Sequence, residues 1–392
     1  MIQRNQSAIM KRILEQMDKS GADALILTGA DDVFYATGFA SMQLYNSRRF
    51  GSTAAVIRSD GKATLILSEF EKQAADSVCD KTIEIAAYPT FIYIEDYSAG
   101  ETYKNPDTDP MKVYKMALEA CGEGTGKVGL VYYSMDYRSG EFFSSHLGNR
   151  IFDAARLMAD AKMIKTPWEI QTLRTAAEIT ESAINRTMSS VKEGMTEAEI
   201  RMTFEQLCEQ QSPDVAGVTH AHTVGRNFAP SYIPRDVKVV GGDLIRLDGG
   251  VFYKGYNSDI ARTCSVGGKT LKERENVYSA LFAGYSFAIN HAGPGVLMCD
   301  IFNGAQKVIK EKGLDCYIRG HHGHSIGCNT AVEELPLVSP EENRVFMPGM
   351  VMCFEFPYYG SRLQTYNIED TVLITENGIE LFTHAPDSLY PF

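Results

Sequence analysis

The stretch LIRLDGGVFYKGYNSDIART, residues 244–263, decides how the second half of this chain folds. An apolar run ends on Asp248, two glycines follow, and a second segment carries Asp259. Two strand-like runs with a glycine-rich break between them are typical of an antiparallel hairpin. Such a hairpin holds two carboxylates on adjacent strands, within a side chain's reach of each other.

Neighbouring carboxylates repel each other, and one of them stays protonated unless a cation lies between them. The chain offers three further candidate ligands: His324 in GHHGHSIG, Glu355 in VMCFEFP and Glu369 in YNIEDTVLIT. Each lies in or beside an apolar or glycine-rich stretch, where burial of a lone charge is costly. Four carboxylates with one imidazole suit two divalent ions, Mn, Co, Fe or Zn, better than one structural zinc.

The order and surroundings of these residues resemble the metal motifs of the pita-bread family, which contains aminopeptidase P, prolidase, methionine aminopeptidase and creatinase. The matching segments are DGG…GYNSDIARTCSVG, GHSIG, GMVMCFEFP and NIEDTVLITENG. The resemblance implies an α+β pita-bread catalytic domain at residues 155–392. It also implies a creatinase-like N-terminal domain at residues 1–150, where mixed strands and helices predict an α/β fold.

The resemblance gives each ligand a role. Asp248 and Asp259 hold the first ion, and His324 and Glu355 hold the second. Asp259 and Glu369 contribute to both ions. Such a pair activates a water for attack on a carbonyl or amidine carbon, and Glu355 shuttles the proton to the leaving nitrogen.

The chain departs from the peptidases of that family at three positions. Ser231 and Ala331 stand where the peptidases have histidines, and Asn367 stands where the aminopeptidase P and prolidase branch has an arginine. Those groups position the scissile peptide, and each lost oxyanion donor costs roughly 10²–10³ in rate. The candidates to replace them at the substrate are His222, His321, Arg362 and Tyr366.

Several of these side chains also have an interpretation that does not involve the site. Arg362 either pairs with a substrate carboxylate or is a solvated loop arginine. His321 and His322 either support the ligands or have no role in the site. Asp370 adjoins Glu369, and one of the two acids could instead cap a helix or pair with a base; the resemblance favours Glu369 as the ligand.

The ligand set is compatible with two enzymatic functions that use the same metal chemistry, and a third hypothesis is a protein without catalytic activity. The first is an Xaa-Pro dipeptidase or aminopeptidase-like metallopeptidase that acts on a short peptide. The alternative is a relative that acts on a small metabolite, such as an ectoine hydrolase, creatinase or a dimethylsulfoniopropionate lyase. Creatinase does not keep the ligands, and the lyases carry a second Asp where this chain has Gly250. The third is a binding protein without catalysis, which the intact ligand set disfavours.

Composition and net charge limit the binding partners and the cellular compartment that are compatible with this chain. A net charge of −12 argues against nucleic-acid and acidic-membrane partners, which need a basic surface. No apolar run reaches the length of about 18 residues that a membrane span needs. The eight cysteines form no CxxC pair, which indicates reduced thiols in a cytoplasmic protein. The resemblance implies a homodimer, for which Tyr93, Tyr97 and Tyr103 are candidate contacts.

Periodicity and turn residues give the coarse secondary structure. The predicted helices lie at residues 8–20, 70–78, 111–121, within 151–164, after the capping boxes at Thr166 and Thr196, and at 271–292 and 299–312. The predicted strands of the first domain lie at 24–27, 33–36, 54–57, 63–67, 83–87 and 127–132, with a turn at Asp60-Gly61. Residues 211–240 are polar, and no strand is predicted there.

Overall fold

The structure, a computed structural model, describes residues 3–90, 108–123, 126–224, 236–268, 270–360 and 362–389; for residues 219–224 it describes the backbone alone. Contacts divide the chain into two units, residues 3–162 and residues 163–392. Tyr93, Tyr97 and Tyr103 lie outside the described residues.

The first unit contains one mixed sheet and the helices that connect its strands. Its strands are β1 Ala24–Leu27, β2 Ala54–Arg58, β3 Ala63–Ser68, β4 Ile83–Tyr88, β5 Val128–Leu130 and β6 Ile151–Asp153. Its helices are α1 Gln6–Ser20, α2 Ala30–Thr37, α3 Met42–Tyr45, α4 Glu69–Val78, α5 Lys112–Cys121, α6 Tyr137–Leu147 and α7 Ala155–Met163. The sheet order is β4-β3-β2-β1-β5-β6, and β1 pairs antiparallel with β2 but parallel with β5.

Two predictions for this unit have opposite outcomes. The hairpin at Asp60-Gly61 is confirmed, because β2 and β3 pair antiparallel around Gly61 at φ +87°. The predicted strand at residues 33–36 is wrong, since these residues lie within helix α2. Asp31 and Asp32 occupy the first turn of that helix, where carboxylates complement the helix dipole. A short apolar run does not by itself separate a buried helix from a strand.

The first unit ends with helix α7 and not at residue 150. The hydroxyl of Tyr35 donates to the carbonyl oxygen of Ala161 at 2.8 Å. The ammonium of Lys162 lies 2.6 Å from Asp32 Oδ1, with both side chains almost fully buried. Because these contacts join α7 to the first unit, the division falls at Lys162, later than the sequence indicates.

The second unit is organised by a larger sheet. Its strands are β7 Val215–Val224, β8 Leu244–Tyr253, β9 Tyr256–Asn257, β10 Ile260–Ser265, β11 Gly323–Ile326, β12 Glu333–Leu337, β13 Val351–Glu355, β14 Tyr358–Gly360, β15 Gln364–Tyr366, β16 Glu369–Thr375 and β17 Gly378–Leu381. Its helices are α8 Pro167–Ser190, α9 Glu197–Glu209, α10 Lys272–His291 and α11 Met298–Glu311. The main order is β12-β11-β13-β16-β10-β8-β7, with β17 beside β16, β9 beside β8, and β14–β15 as a separate hairpin.

The four helices of this unit follow the predicted pattern. Thr166 and Thr196 each form a complete capping box at the start of α8 and α9, which confirms both predicted starts. Leu281 and Phe302, from α10 and α11, pack in one core with Phe354 of β13. None of the helices in the described ranges combines the length and apolarity needed to cross a membrane.

The central hairpin differs from the prediction in the position of its turn. Strand β8 continues through both glycines to Tyr253, and the turn lies at Lys254 and Gly255, with φ of 50° and 83°. Two consecutive positive φ values are the signature of a type I′ turn. The glycine-rich break is therefore part of the strand, although β8 and β10 still pair antiparallel as predicted. Strand β7 occupies part of the stretch at 211–240, where no strand is predicted.

Candidate metal centre

Four of the five predicted ligands lie on central strands of the large sheet, and the fifth, Asp259, directly precedes strand β10. Asp248 and Glu369 both pair with Ala261 of β10, and Glu369 also pairs with Glu355 of β13. Directly opposed residues on neighbouring strands project from the same face of a sheet. His324 of β11 is opposite Cys353, two residues before Glu355, and so projects from that face as well. Strand register therefore collects residues that are far apart in the chain.

Four of these side chains lie within a few ångströms of one another. Carboxylate oxygens of Asp248, Asp259 and Glu369 lie within 4.8 Å of one another. His324 Nε2 lies 3.5 Å from Glu369 Oε1 and 3.8 Å from Asp259 Oδ2. Glu355 completes the set from the strand beside Glu369, and all five residues are buried.

The donor set fits divalent metal ions. Asn367 Nδ2 donates to one oxygen of Asp248 and one of Glu369, at 3.2 Å each. The other oxygen of Glu369, Oε1, is buried, and His324 Nε2 lies 3.5 Å from it. Several buried carboxylates that share so few donors are costly, and a cation removes that cost. Oxygen ligands with one imidazole suit Mn, Fe, Co or Zn.

The protonation of this cluster is strongly perturbed in the metal-free protein. Burial alone lowers the pKa of His324, but its hydrogen bond to Glu369 and the nearby carboxylates outweigh burial and raise the pKa to about 10. Burial raises the pKa of Glu355 to about 7, against the opposing charge of Arg319. Burial and the charge of Asp259 raise the pKa of Glu369 well above its usual value. In the absence of metal, His324, Glu355 and Glu369 thus bind protons more tightly in the folded protein than in the unfolded chain.

We expect the stability of the metal-free protein to fall as the pH rises. Groups whose pKa is raised by folding stabilise the fold below their unfolded values, near 4.5 for Glu355 and 6.5 for His324. That contribution is lost as the pH passes the folded values of about 7 and about 10. Bound metal replaces the protons, so the gain in melting temperature on adding Mn²⁺ grows between pH 7 and pH 9. Below about pH 6.5 the lowered pKa values of His321 and His322 act in the opposite direction.

Thermal melts of chelator-treated protein, with and without Mn²⁺, measure this expectation across that pH range. A metal-free melting temperature that rises steadily from pH 7 to pH 9, with a metal-induced gain that shrinks, would contradict it.

The neighbouring acid Asp370 has a different environment. It is fully buried and accepts hydrogen bonds from Arg262 Nη2 at 2.7 Å, Tyr285 at 2.5 Å and Thr383 at 2.5 Å. Successive residues of a strand point to opposite faces, so Asp370 faces away from the ligand cluster while Glu369 faces into it. Arg262 pairs with Asp370. Glu369 is therefore the candidate metal ligand of the two acids.

The two histidines beside His324 have separate environments. His321 Nδ1 lies 3.1 Å from Glu355 Oε1, and burial, with the charge of Arg319, lowers the pKa of this imidazole. His322 is fully buried against the ring of Phe356, and burial lowers its pKa to about 3. His321 therefore adjoins the ligand set, whereas His322 is a neutral residue of the aromatic core.

The remaining candidates lie at varied distances from the ligands. Tyr366 is buried in the hydrophobic core, and its hydroxyl donates to the Leu363 carbonyl, which does not support a substrate contact. Arg362 is exposed in the turn between β14 and β15. The backbone of His222 pairs with Asp248, but its side chain lies outside the described residues, as does all of Ser231.

Two arginines, the buried Arg246 and the partly exposed Arg319, adjoin the candidate ligands and were not predicted from the sequence. Arg246 Nη1 lies 3.6 Å from Asp248 Oδ2, and Arg319 Nη2 donates to Glu355 Oε1 at 3.1 Å. The signal for Arg246 was present, because it lies two residues before Asp248 in an apolar strand and so shares its face. Position 367 is an asparagine in this chain, and its side chain donates to Asp248. Arg246 of β8 lies beside the same carboxylate.

Gly250 has a steric role that bears on the lyase alternative. A Cβ atom at this position would lie 1.7 Å from the backbone carbonyl oxygen of Ser258. No side chain fits without movement of the β8–β10 pair. The second Asp of the lyases is therefore incompatible with this backbone.

Comparison with known families assigns both units. The model of metallopeptidase family M24 matches residues 171–376, and the creatinase/prolidase N-terminal domain model matches residues 10–164. The first match contains all five candidate ligands.

Individual relatives span nearly the whole chain. An Xaa-Pro dipeptidase of Pyrococcus furiosus is 27% identical over 97% of this chain and 99% of its own length. Among solved structures, the prolidase of Pyrococcus horikoshii superposes with a TM-score of 0.79 at 25% identity, covering 96% of this chain and 98% of its own. An Xaa-Pro dipeptidase of Bacillus anthracis gives a TM-score of 0.81 at 23% identity, with coverage of 98% and 99%.

Proposed function

The chain belongs to metallopeptidase family M24 and is a metal-dependent hydrolase, and we propose that it cleaves the Xaa-Pro bond of short peptides with two divalent ions. The observation that carries this proposal is that five buried candidate ligands, four carboxylates and one imidazole, project from one face of the large sheet. The names of the full-length relatives support the Xaa-Pro preference.

More than one group of candidate ligands supports more than one ion. Asp248, Asp259 and Glu369 form one group, and His324 and Glu369 belong to a second group with Cys353. Glu355 lies in a third group with His321 and Glu333, and Glu369 would be available to an ion in either of the first two groups. The donor chemistry is compatible with Mn, Co, Fe or Zn, and we propose that the ions come from this set.

The chain's own groups supply positioning and proton transfer. Divalent ions bound by these ligands would polarise the scissile carbonyl and activate a water. Glu355 would accept a proton from the attacking water at a carboxylate oxygen and pass it to the leaving nitrogen. Arg319 donates to Glu355 Oε1 at 3.1 Å and holds this carboxylate in place, with His321 Nδ1 beside it at 3.1 Å. Asn367 fixes the orientation of Asp248 and Glu369.

We further propose a cytoplasmic homodimer. The eight cysteines are free thiols, which agrees with a reducing compartment. The dimer follows from the family resemblance.

Metal analysis followed by a substrate panel tests the function. The purified protein is expected to bind about two divalent ions per chain and, when loaded, to hydrolyse Ala-Pro and Gly-Pro. Chelator is expected to remove activity, and metal is expected to restore it. The panel includes small amides and amidines, because Ala331 and Asn367 replace groups that the peptidases use. Turnover of those compounds without cleavage of any Xaa-Pro peptide would replace this proposal with the small-metabolite alternative.

A further inference from the structure

Cys353 lies on the same face of the large sheet as the candidate ligands. On strand β13 it is directly opposite His324 of β11 and Thr371 of β16. It also precedes Glu355 by two residues, so both side chains project to one side of the strand. The cysteine is fully buried. The fold therefore places a sulfur atom among carboxylate and imidazole groups.

The sulfur belongs to one of the candidate ligand groups. Cys353 Sγ, a ring nitrogen of His324 and a carboxylate oxygen of Glu369 all lie within 4.8 Å of one another. His324 Nε2 and Glu369 Oε1 are themselves 3.5 Å apart. Glu355 belongs to a different group. Among the residues that the structure describes, the donor that completes the pair of His324 and Glu369 is therefore a thiol.

The hydrogen bonds of this thiol are replaceable. Cys353 Sγ donates to the carbonyl oxygen of Asp259 at 3.6 Å and lies 3.6 Å from Thr371 Oγ1. The hydroxyl of Thr371 donates to the same carbonyl at 3.2 Å. Because Thr371 still satisfies that carbonyl, the sulfur is available to an ion. A sulfur–metal bond then replaces the S–H bond, and the proton goes to water without any change of oxidation state.

A sulfur donor changes which ion a group prefers. Carboxylate oxygens suit Mn²⁺, whereas thiolate and imidazole suit Zn²⁺. Protein zinc sites combine cysteine, histidine and acidic ligands in a tetrahedral arrangement. The group of Asp248, Asp259 and Glu369 contains oxygen donors only. The two groups therefore differ in the softness of their donors, although they share Glu369.

We propose that Cys353 is a metal ligand at the position formed with His324 and Glu369, and that its sulfur makes this position selective for Zn²⁺ over Mn²⁺. The inference rests on the proposed function, because it gives one of the two proposed ions a preferred identity. The position of Asp248 and Asp259 keeps an ion that prefers oxygen. In this arrangement Glu355 stays beside Arg319 and is available for proton transfer.

Co²⁺ is the spectroscopic probe for the sulfur, since a thiolate ligand gives this ion an intense near-ultraviolet charge-transfer band that oxygen and nitrogen ligands do not give. Chelator-treated protein is titrated with Co²⁺ under argon in the presence of a phosphine reductant. Wild type is expected to develop the band. Cys353→Ser, which keeps a hydrogen-bonding group of similar size, is expected to bind Co²⁺ without it.

Two other cysteines provide matched controls. Cys264 is buried on the neighbouring strand β10, but its Sγ lies 3.2 Å from Met188 Sδ, and it belongs to none of the ligand groups found among the described residues. Cys316 is exposed and reports adventitious binding at the surface. Cys264→Ser and Cys316→Ser are both expected to keep the band.

A competition experiment separates coordination from packing. Zn²⁺ and Mn²⁺ affinities are measured against a chelator for wild type and Cys353→Ser. The ratio of the two affinities is expected to fall by about 100-fold or more in the variant, since even groups outside the ligand set are worth about 10–100-fold in metal affinity. A cysteine that only packs the core would lower both affinities together and leave their ratio unchanged, which would overturn the proposal.

X-ray absorption at the zinc edge tests the same point without a variant. Wild type loaded with one Zn²⁺ per chain is expected to show a sulfur neighbour at about 2.3 Å. A zinc shell without sulfur, or a Co²⁺ band that persists in Cys353→Ser, would overturn the assignment. If wild type cleaves no Xaa-Pro peptide but shows the Cys353-dependent band, the proposed function fails and the sulfur ligand stands. Cleavage without the band gives the reverse result.

Discussion

Asp259→Ala and Glu369→Ala are each expected to lose the second metal ion and to lower kcat/KM by at least about 10³-fold, since even partners outside the ligand set are worth roughly 10–100-fold in metal sites. Both residues belong to the oxygen cluster within 4.8 Å, and Glu369 also faces His324 at 3.5 Å. Removing either carboxylate takes a ligand from both ions if each bridges them. Metal content by elemental analysis and kcat/KM on Ala-Pro are the two measurements.

The matched control is Asp214→Ala. Asp214 is an acid near the turn of the same hairpin, about half exposed and paired with Lys254 at 3.1 Å. Exposed pairs of this kind contribute little to stability, so this variant is expected to keep both ions and full activity. Two ions per chain and wild-type kinetics in both Asp259→Ala and Glu369→Ala would show that neither residue is a ligand.

Local chemistry explains why much of this site was visible in the sequence. Glu355 lies between Phe354 and Phe356, and a charge in such a run has to have a buried partner. The structure gives the reason for the pattern: Phe354 packs against the helices, and Glu355 faces the ligands. A strand buried on both faces carries apolar residues on one side and its ligands on the other.

Helix α2 and the turn of the central hairpin depend on contacts that form only in the folded protein. Residues 33–36 are apolar and read equally well as a strand, but they fold as helix α2. The turn of the central hairpin lies at Lys254-Gly255 and not at the glycines of β8, because Gly250 is needed where β8 approaches Ser258. Sequence spacing does not show such close backbone contacts.

Arg319 was missed for a similar reason. It is separated from Glu355 in the chain, and only the packing of the segment before β11 against β13 brings them to 3.1 Å. Tyr359 likewise reaches Arg319 and Arg246 only because the β14–β15 hairpin folds over this part of the site. Sequence motifs identified the candidate ligands, while the groups that surround them belong to neighbouring strands and loops.

Asp370→Ala is expected to lower the free energy of unfolding by about 3–5 kcal/mol, because it removes one partner of a buried ion pair. Arg262 is almost fully buried and would keep only Glu181, at 2.8 Å, as its acidic partner. The hydroxyls of Tyr285 and Thr383 would lose their acceptor as well. The single tryptophan, Trp168, packs against Tyr256 in this unit, so its fluorescence reports denaturant unfolding of the metal-free protein.

The control for this variant is Glu380→Ala, which removes an acid of the adjacent strand β17. Glu380 is about half exposed and pairs with Arg174 at 2.9 Å, so its loss is expected to cost less than about 1 kcal/mol. A second variant, Arg262→Met with Asp370→Leu, removes both charges and is expected to recover part of the lost stability, since an uncompensated charge is the main cost. A small effect of Asp370→Ala, equal to that of Glu380→Ala, would mean that Glu181 alone balances Arg262. Arg262 Nη1 also donates to the backbone carbonyl oxygen of Glu369 at 2.6 Å. With such a small effect, the Arg262–Asp370 ion pair would have little part in holding Glu369 in the ligand cluster.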